Sequence, residues 1–120
     1  MTRANPDSLL PLTPAMFQVL IALADGEKHG YAILKEVARR TDGEVVLSAA
    51  TLYTIIRRFV QNGVIAESAE RPDPALDDER RRYYRLTTFG REVARAEAVR
   101  METALGMARA KRLIPKVRLT

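Results

Sequence analysis

The 120-residue chain has no cysteine, no tryptophan and a single histidine, His29. Without thiols it can form no disulfide framework, no thiolate metal site and no cysteine nucleophile. One imidazole cannot build a multi-histidine zinc site. No apolar run approaches the roughly 18–20 residues that a bilayer-spanning helix needs. The N-terminal M-T-R-A-N-P-D-S lacks the apolar core of a signal peptide, so the expected location is cytoplasmic. Acid is also in short supply, with 15 Asp and Glu against 20 Lys and Arg, a net charge of +5. That excess permits a nucleic acid or an acidic membrane surface as partner but requires neither. The 47% hydrophobic and 29% charged residues that remain suit one ordinary globular domain with a modest core, and no segment repeats or is of low complexity.

The most informative stretch is 48–62, S-A-A-T-L-Y-T-I-I-R-R-F-V-Q-N. Ser48 is a good helix cap, because its hydroxyl can accept from an unpaired amide of the first turn. Leu52, Ile55, Ile56 and Phe59 recur at i, i+3, i+4 and i+7 and form one apolar stripe. Asn62-Gly63 ends the helix. Stepping round at about 100° per residue places Ala50, Tyr53, Thr54, Arg57 and Gln61 on the opposite face, with Arg58 at its edge. No acid stands on this helix. Its outer face suits an anionic partner.

Elsewhere the pattern predicts a flexible arm over 1–12, then a helix over 14–24 that Thr13 caps and Pro14 opens. That helix is apolar on most sides, so burial on most sides is expected, against its own domain and a second subunit. A second helix is expected over 31–41, with an exposed Glu36–Arg40 pair, followed by an extended piece at 45–47. After the 48–62 helix, residues 64–69 and 80–86 read as two strands of a hairpin joined by a charged loop. Tyr84 faces inward with Leu86; Tyr83 lies on the exposed side. A last helix is expected from about Thr88 to Arg112, with Pro115 ending it and a basic tail over 115–120. Ala94, Ala98, Met101, Leu105, Ala108 and Arg112 follow heptad spacing. A second stripe of Phe89, Val93, Ala96 and Met107 implies a second neighbour, so one stripe is assigned to the domain and the other to a partner chain.

Three helices followed by a hairpin and a long helix predict a mainly α fold with a small β-hairpin: a winged helix-turn-helix over 13–87 and a dimerisation helix over 88–114. In such folds the second helix of the motif enters the major groove. By position that is the 48–62 helix. The motifs L-T-P near residue 12, L-A-D-G-E-K-H-G-Y, T-L-Y, N-G-V-I and Y-Y-R-L-T-T-F-G, in this order and spacing, resemble the PadR family of transcriptional regulators. The resemblance covers Leu12 to about Gly90, and the single C-terminal helix resembles its short-chain branch. It implies a homodimeric repressor on a palindromic DNA operator, released by a small hydrophobic or aromatic effector. Ala50 stands where that family usually has Gly and Thr54 where Pro is common, so its base preference does not carry over. Without tryptophan, the aromatic sandwich that some short members use for planar drugs is missing.

The expected DNA contacts are Ser48, Ala50, Thr51, Tyr53, Thr54, Arg57, Arg58 and Gln61, together with His29, Tyr31 and the wing residues Arg80, Arg81 and Arg82. Arg57 is assigned to guanine, Arg58 and Tyr53 to phosphate. An Arg-Arg pair is more often a solvated helix face, but the cap, the missing acid and the place in the motif favour the contact reading. The wing arginines follow Asp77-Asp78-Glu79, so a self-neutralising cluster and a phosphate-seeking wing both remain open. A magnesium site there is disfavoured, because a loop without phosphate-cradling glycines offers little to hold one. His29 reads as a residue bonding its own backbone, beside a phosphate contact with Tyr31. The dimer interface is assigned to Ala94, Ala98, Met101, Leu105 and Ala108. No cofactor and no metal are expected, and no nucleophile constellation suggests an enzyme. The rival reading is a winged-helix protein-interaction module whose basic face meets an acidic protein.

Overall fold

Each helix begins where one side chain can accept the amide three residues on. In the computed structural model, which describes residues 5–68 and 82–115, Thr13 Oγ1 accepts from Met16 N at 3.1 Å and His29 Nδ1 from Ala32 N at 3.1 Å. Ser48 Oγ accepts from Thr51 N at 3.1 Å and Thr87 Oγ1 from Gly90 N at 2.9 Å. These caps open α1 (Pro14–Ala22), α2 (Gly30–Arg40), α3 (Ala49–Gln61) and α4 (Thr88–Ala110). Each satisfies one of the orphan donors of a first turn, worth about 1 kcal/mol.

Three of the helices end in the same closure. Gly43 N donates to Ala38 O at 2.8 Å, Val64 N to Phe59 O at 2.8 Å and Leu113 N to Ala108 O at 2.9 Å. The residue inside each closure is left-handed: Asp42 at φ 50, Gly63 at φ 74 and Arg112 at φ 60. α4 therefore stops at Ala110, ahead of Pro115, and Arg112 leaves the heptad seam that the spacing assigned to it. α1 stops two residues short of the expected 24, and α2 is displaced by one residue from the expected 31–41.

Among the described residues three short strands form one antiparallel sheet in the order β1 (Lys28–His29), β3 (Tyr83–Leu86), β2 (Ile65–Glu67). Ile65 pairs with Leu86 and Glu67 with Tyr84; on the other edge Lys28 pairs with Tyr84 and His29 with Tyr83. β2 starts one residue after the expected 64, and residue 82 lies outside β3; the expected strand positions 69, 80 and 81 lie outside the described residues. β1 was not expected at all, since two residues carry no alternation to read. The extended piece at 45–47 joins no strand among the described residues; Thr41 Oγ1 holds it by accepting from Val45 N at 3.0 Å.

The core collects Val19, Leu20 and Leu23 of the α1 region, Ile33 and Val37 of α2, Leu52, Ile56 and Phe59 of α3, and Val64, Ile65, Tyr84 and Val93. All four residues of the predicted α3 stripe are buried. Tyr84 is buried as expected, and burial is the main reason its phenol pKa is raised. Among the described residues no helix is long and apolar enough to cross a membrane.

Three expectations need correction. Residues 5–12 are not a free arm: Pro6–Leu9 forms a 3-10 turn that packs on α4, and Leu12 is buried in the core. Leu12 N donates to Glu97 Oε2 at 2.6 Å, and Glu97 is fully buried. The inward side of α4 is thus Gly90, Val93 and Glu97, a stripe containing an acid that a search for apolar periodicity passes over. Met107, placed on the second stripe, is 66% exposed. Glu36 was expected outside but is buried. Lys28 Nζ lies 3.6 Å from its Oε1 and Arg40 Nε 3.1 Å from its Oε2. Among the described residues Oε2 has no aligned hydrogen bond, so its pairing with Arg40 is Coulombic.

Candidate nucleic-acid interface

With Leu52, Ile55, Ile56 and Phe59 in the core, the opposite side of α3 is turned to solvent. Ala50, Thr51, Thr54, Arg57, Arg58 and Gln61 are all exposed, as is the cap Ser48. Neither Arg57 nor Arg58 has a carboxylate partner among the described residues. Two hydroxyls on this side are engaged within the helix. Ser48 Oγ donates to Thr51 Oγ1 at 2.9 Å, and Thr54 Oγ1 donates to Ala50 O at 2.9 Å.

Tyr53 departs from its expected place. It is half-buried and packs against the core, and a β-carbon on Gly30 would stand 2.7 Å from its hydroxyl oxygen. The angle explains this: Tyr53 lies about 60° from Ile56 round the helix, and its long ring reaches back over the start of α2. Gly30 is the residue that leaves room for it.

The start of α2 adds a second group of side chains. His29, besides capping α2, stacks on Tyr31 with centroids 6.5 Å apart and meets Tyr83 edge-on at 5.5 Å. Tyr31 is 60% exposed, and Lys35 Nζ sits 4.7 Å from its ring centroid. Tyr83, expected on the exposed side of its strand, is half-buried by this contact. Lys35 is not among the contacts expected from sequence, although its i,i+4 spacing from Tyr31 is a legible signal. Lys28 is less available, since its ammonium donates to Ala22 O at 2.6 Å and pairs with Asp25, whose carboxyl it holds below the usual carboxylate range.

The wing is described only in part. Arg82 NH1 lies 3.6 Å from Glu67 Oε2 across the β2–β3 pair, both side chains being about half exposed. Arg80 and Arg81, and the acids at Asp77, Asp78 and Glu79, lie outside the described residues.

The assigned dimer residues divide along α4. Ala94 packs against its own core, which corrects its assignment to a partner. Ala98 and Leu105 are exposed; Met101 and Ala108 are half-buried. With Phe17 of α1, Ala98, Met101 and Leu105 line a groove of about 600 Å³ whose polar rim is Glu102 and Arg109.

Helices α2 and α3 with a two-stranded wing after them define a winged helix-turn-helix protein. The sequence matches the model of the PadR-like family of transcriptional regulators over residues 19–96. The chain belongs to that family. It is 32% identical over 73 residues to an uncharacterised protein of Lysinibacillus sphaericus, a match covering 61% of the chain and 64% of that relative, a little under two thirds of its length. A transcriptional regulator from Clostridium thermocellum superposes with a TM-score of 0.66 at 26% identity, covering 80% of this chain and 87% of that one. PadR of Bacillus subtilis, solved in complex with operator DNA, shares the fold with a TM-score of 0.58 at 16% identity, covering 92% of this chain and 52% of that one.

Proposed function

We propose that the chain is a sequence-specific DNA-binding regulator, a repressor that binds a palindromic operator as a homodimer and is released by a small hydrophobic or aromatic effector. The observation that carries this is the solvent face of α3, where Arg57, Arg58 and Gln61 stand exposed on a helix without acid, beside a rigid core face. Arg57 and Gln61 suit base edges in the major groove, and Arg58 suits a phosphate. His29, Tyr31 and Lys35 supply backbone contacts from the start of α2, and Tyr53 positions that start. Arg82, joined by Arg80 and Arg81, carries the wing's contact. The operator complex of the Bacillus subtilis protein supports the same use of the fold here.

The groove on α4 supports the dimer. Leu105 is 46% exposed beside Met101 and Phe17, an apolar surface that a second copy would cover. Two α3 helices held by paired α4 helices would then meet half-sites about one helical turn apart, roughly 34–36 Å. Small alanines and an adaptable methionine at such a seam leave room for an apolar ligand. A regulator of this kind works in the cytoplasm with its DNA.

The test is a gel shift on duplexes selected from a random library, titrated with salt and heparin. Binding should fall steeply with salt, by about one unit of log–log slope per phosphate contact. Stable binding to acidic proteins with no shift of any duplex would instead make this a protein-interaction module.

A further inference from the structure

Resting on that reading, we propose that the first half of α3 recognises thymine by its 5-methyl group, with Thr54 as the specificity-determining residue and Ala50 beside it. Ala50, Thr54, Arg57 and Gln61 fall within an arc of about 60° round the helix, and all four are exposed. They differ in what they can offer a base. The Thr54 hydroxyl donates back to Ala50 O at 2.9 Å, so its proton is used inside the helix. Of the neighbouring hydroxyls, Ser48 Oγ accepts from Thr51 N at 3.1 Å and donates to Thr51 Oγ1 at 2.9 Å, while Thr51, whose own proton is not used in that bond, lies about 100° round the helix from Ala50. With the Thr54 oxygen turned to the backbone, the other branch of this exposed side chain is its γ-methyl, on the same helix face as Ala50.

The major-groove edge of a base pair carries one apolar group, the thymine 5-methyl; guanine presents two acceptors there and adenine an acceptor and a donor. A surface of methyls gives guanine nothing to replace the water it would lose, and a desolvated acceptor without a partner is costly. The polar readout falls to the second half of the helix, where Arg57 and Gln61 carry free donors for guanine and adenine. Thr54 and Arg57 are about 4.5 Å apart along the axis at 1.5 Å per residue. Each half-site should therefore hold a thymine within about two base pairs of a guanine, the stacking rise being about 3.4 Å.

The experiment starts from a duplex selected on the full chain from a random-sequence library. That duplex is resynthesised with deoxyuridine replacing each thymine in turn, which removes one methyl and keeps the pairing. One thymine per half-site should weaken binding about fourfold when its methyl is removed, the factor expected for one buried methylene equivalent. Thr54→Val, which keeps the methyl and drops the hydroxyl, should retain both affinity and the thymine-to-uracil ratio. Thr54→Ser, which does the reverse, should bring that ratio to one, with far-ultraviolet circular dichroism and urea midpoint unchanged. Equal binding of thymine and uracil duplexes at every position overturns the proposal, as does a ratio that survives in Thr54→Ser and disappears in Thr54→Val. In both cases DNA binding itself stands. Failure to enrich any duplex removes the DNA-binding reading and the proposal with it.

Discussion

A β-carbon placed on Gly90 would stand 1.9 Å from the carbonyl oxygen of Val64. That carbonyl also accepts from Thr87 N at 3.1 Å and from Thr87 Oγ1 at 3.2 Å. Val64 is the residue whose amide closes the end of α3, and Gly90 lies in the first turn of α4. The end of the proposed reading helix and the start of the proposed dimer helix therefore share a single carbonyl.

Gly90→Ala is expected to destabilise the fold by about 1–3 kcal/mol or more, because the obstacle is backbone and cannot swing aside. Gly106→Ala is the control: the same helix, with nothing within 4 Å of the added carbon. It should gain about 0.5–1 kcal/mol from helix propensity. Urea midpoints of the two variants check both signs.

Glu97→Gln should cost about 1–3 kcal/mol, the range for a buried hydrogen-bonding group left without its partner. The Arg100 guanidinium lowers the carboxyl pKa most; burial works the other way, and the Leu12 amide adds to the lowering. The folded pKa thus lies below the ordinary 4.5. The stabilisation is fully present above the unfolded value and is lost as pH falls through the folded one. The gap between wild type and Glu97→Gln should be flat above about pH 6 and close below pH 4.5. A gap unchanged down to pH 3 would show that the ionised form contributes nothing.

Arg57→Ala should relax base choice, losing roughly 1–3 kcal/mol of discrimination at one position of each half-site. Arg58→Ala should weaken all duplexes evenly and lower the salt slope by about one unit per site. Wild-type selectivity and slope in both variants would mean that α3 is not the reader.

Met101→Glu combined with Leu105→Glu should convert a sedimenting dimer to monomer, since two carboxylates would face the groove shared with Phe17. Ala94→Ser is the comparison, because Ala94 packs into its own core. It should alter stability more than assembly. A folded, dimeric double mutant would place the interface elsewhere.

An effector that releases DNA must bind the free protein more tightly than the operator complex, by the factor it imposes on DNA affinity. Titrating a panel of aromatic compounds into both forms measures that factor. Equal affinities, or no saturable binding, would leave a regulator controlled by its own abundance.

Much of this molecule was legible in advance because its signals are local. Caps at Thr13, Ser48 and Thr87, the i, i+3, i+4, i+7 stripe of α3 and the left-handed Gly63 each act within one or two helical turns, so their spacing in the chain is their spacing in space. The family motifs lie on that same frame. What spacing could not decide was every contact made at long range. Strand β1 exists only because β3 comes to lie beside it, and the buried Glu97 is met by the amide of Leu12, 85 positions away. Tyr53 turned inward because Gly30 of another helix left room, and Ala94 joined its own core rather than a partner's. Burial is a property of what arrives from elsewhere in the chain, so a residue's chemistry alone does not predict it. The outward row of Ala50, Thr54, Arg57 and Gln61 followed from sequence, through helical periodicity. That Thr54 turns its hydroxyl back on the Ala50 carbonyl was decided only in the folded helix, where that carbonyl comes within hydrogen-bond reach.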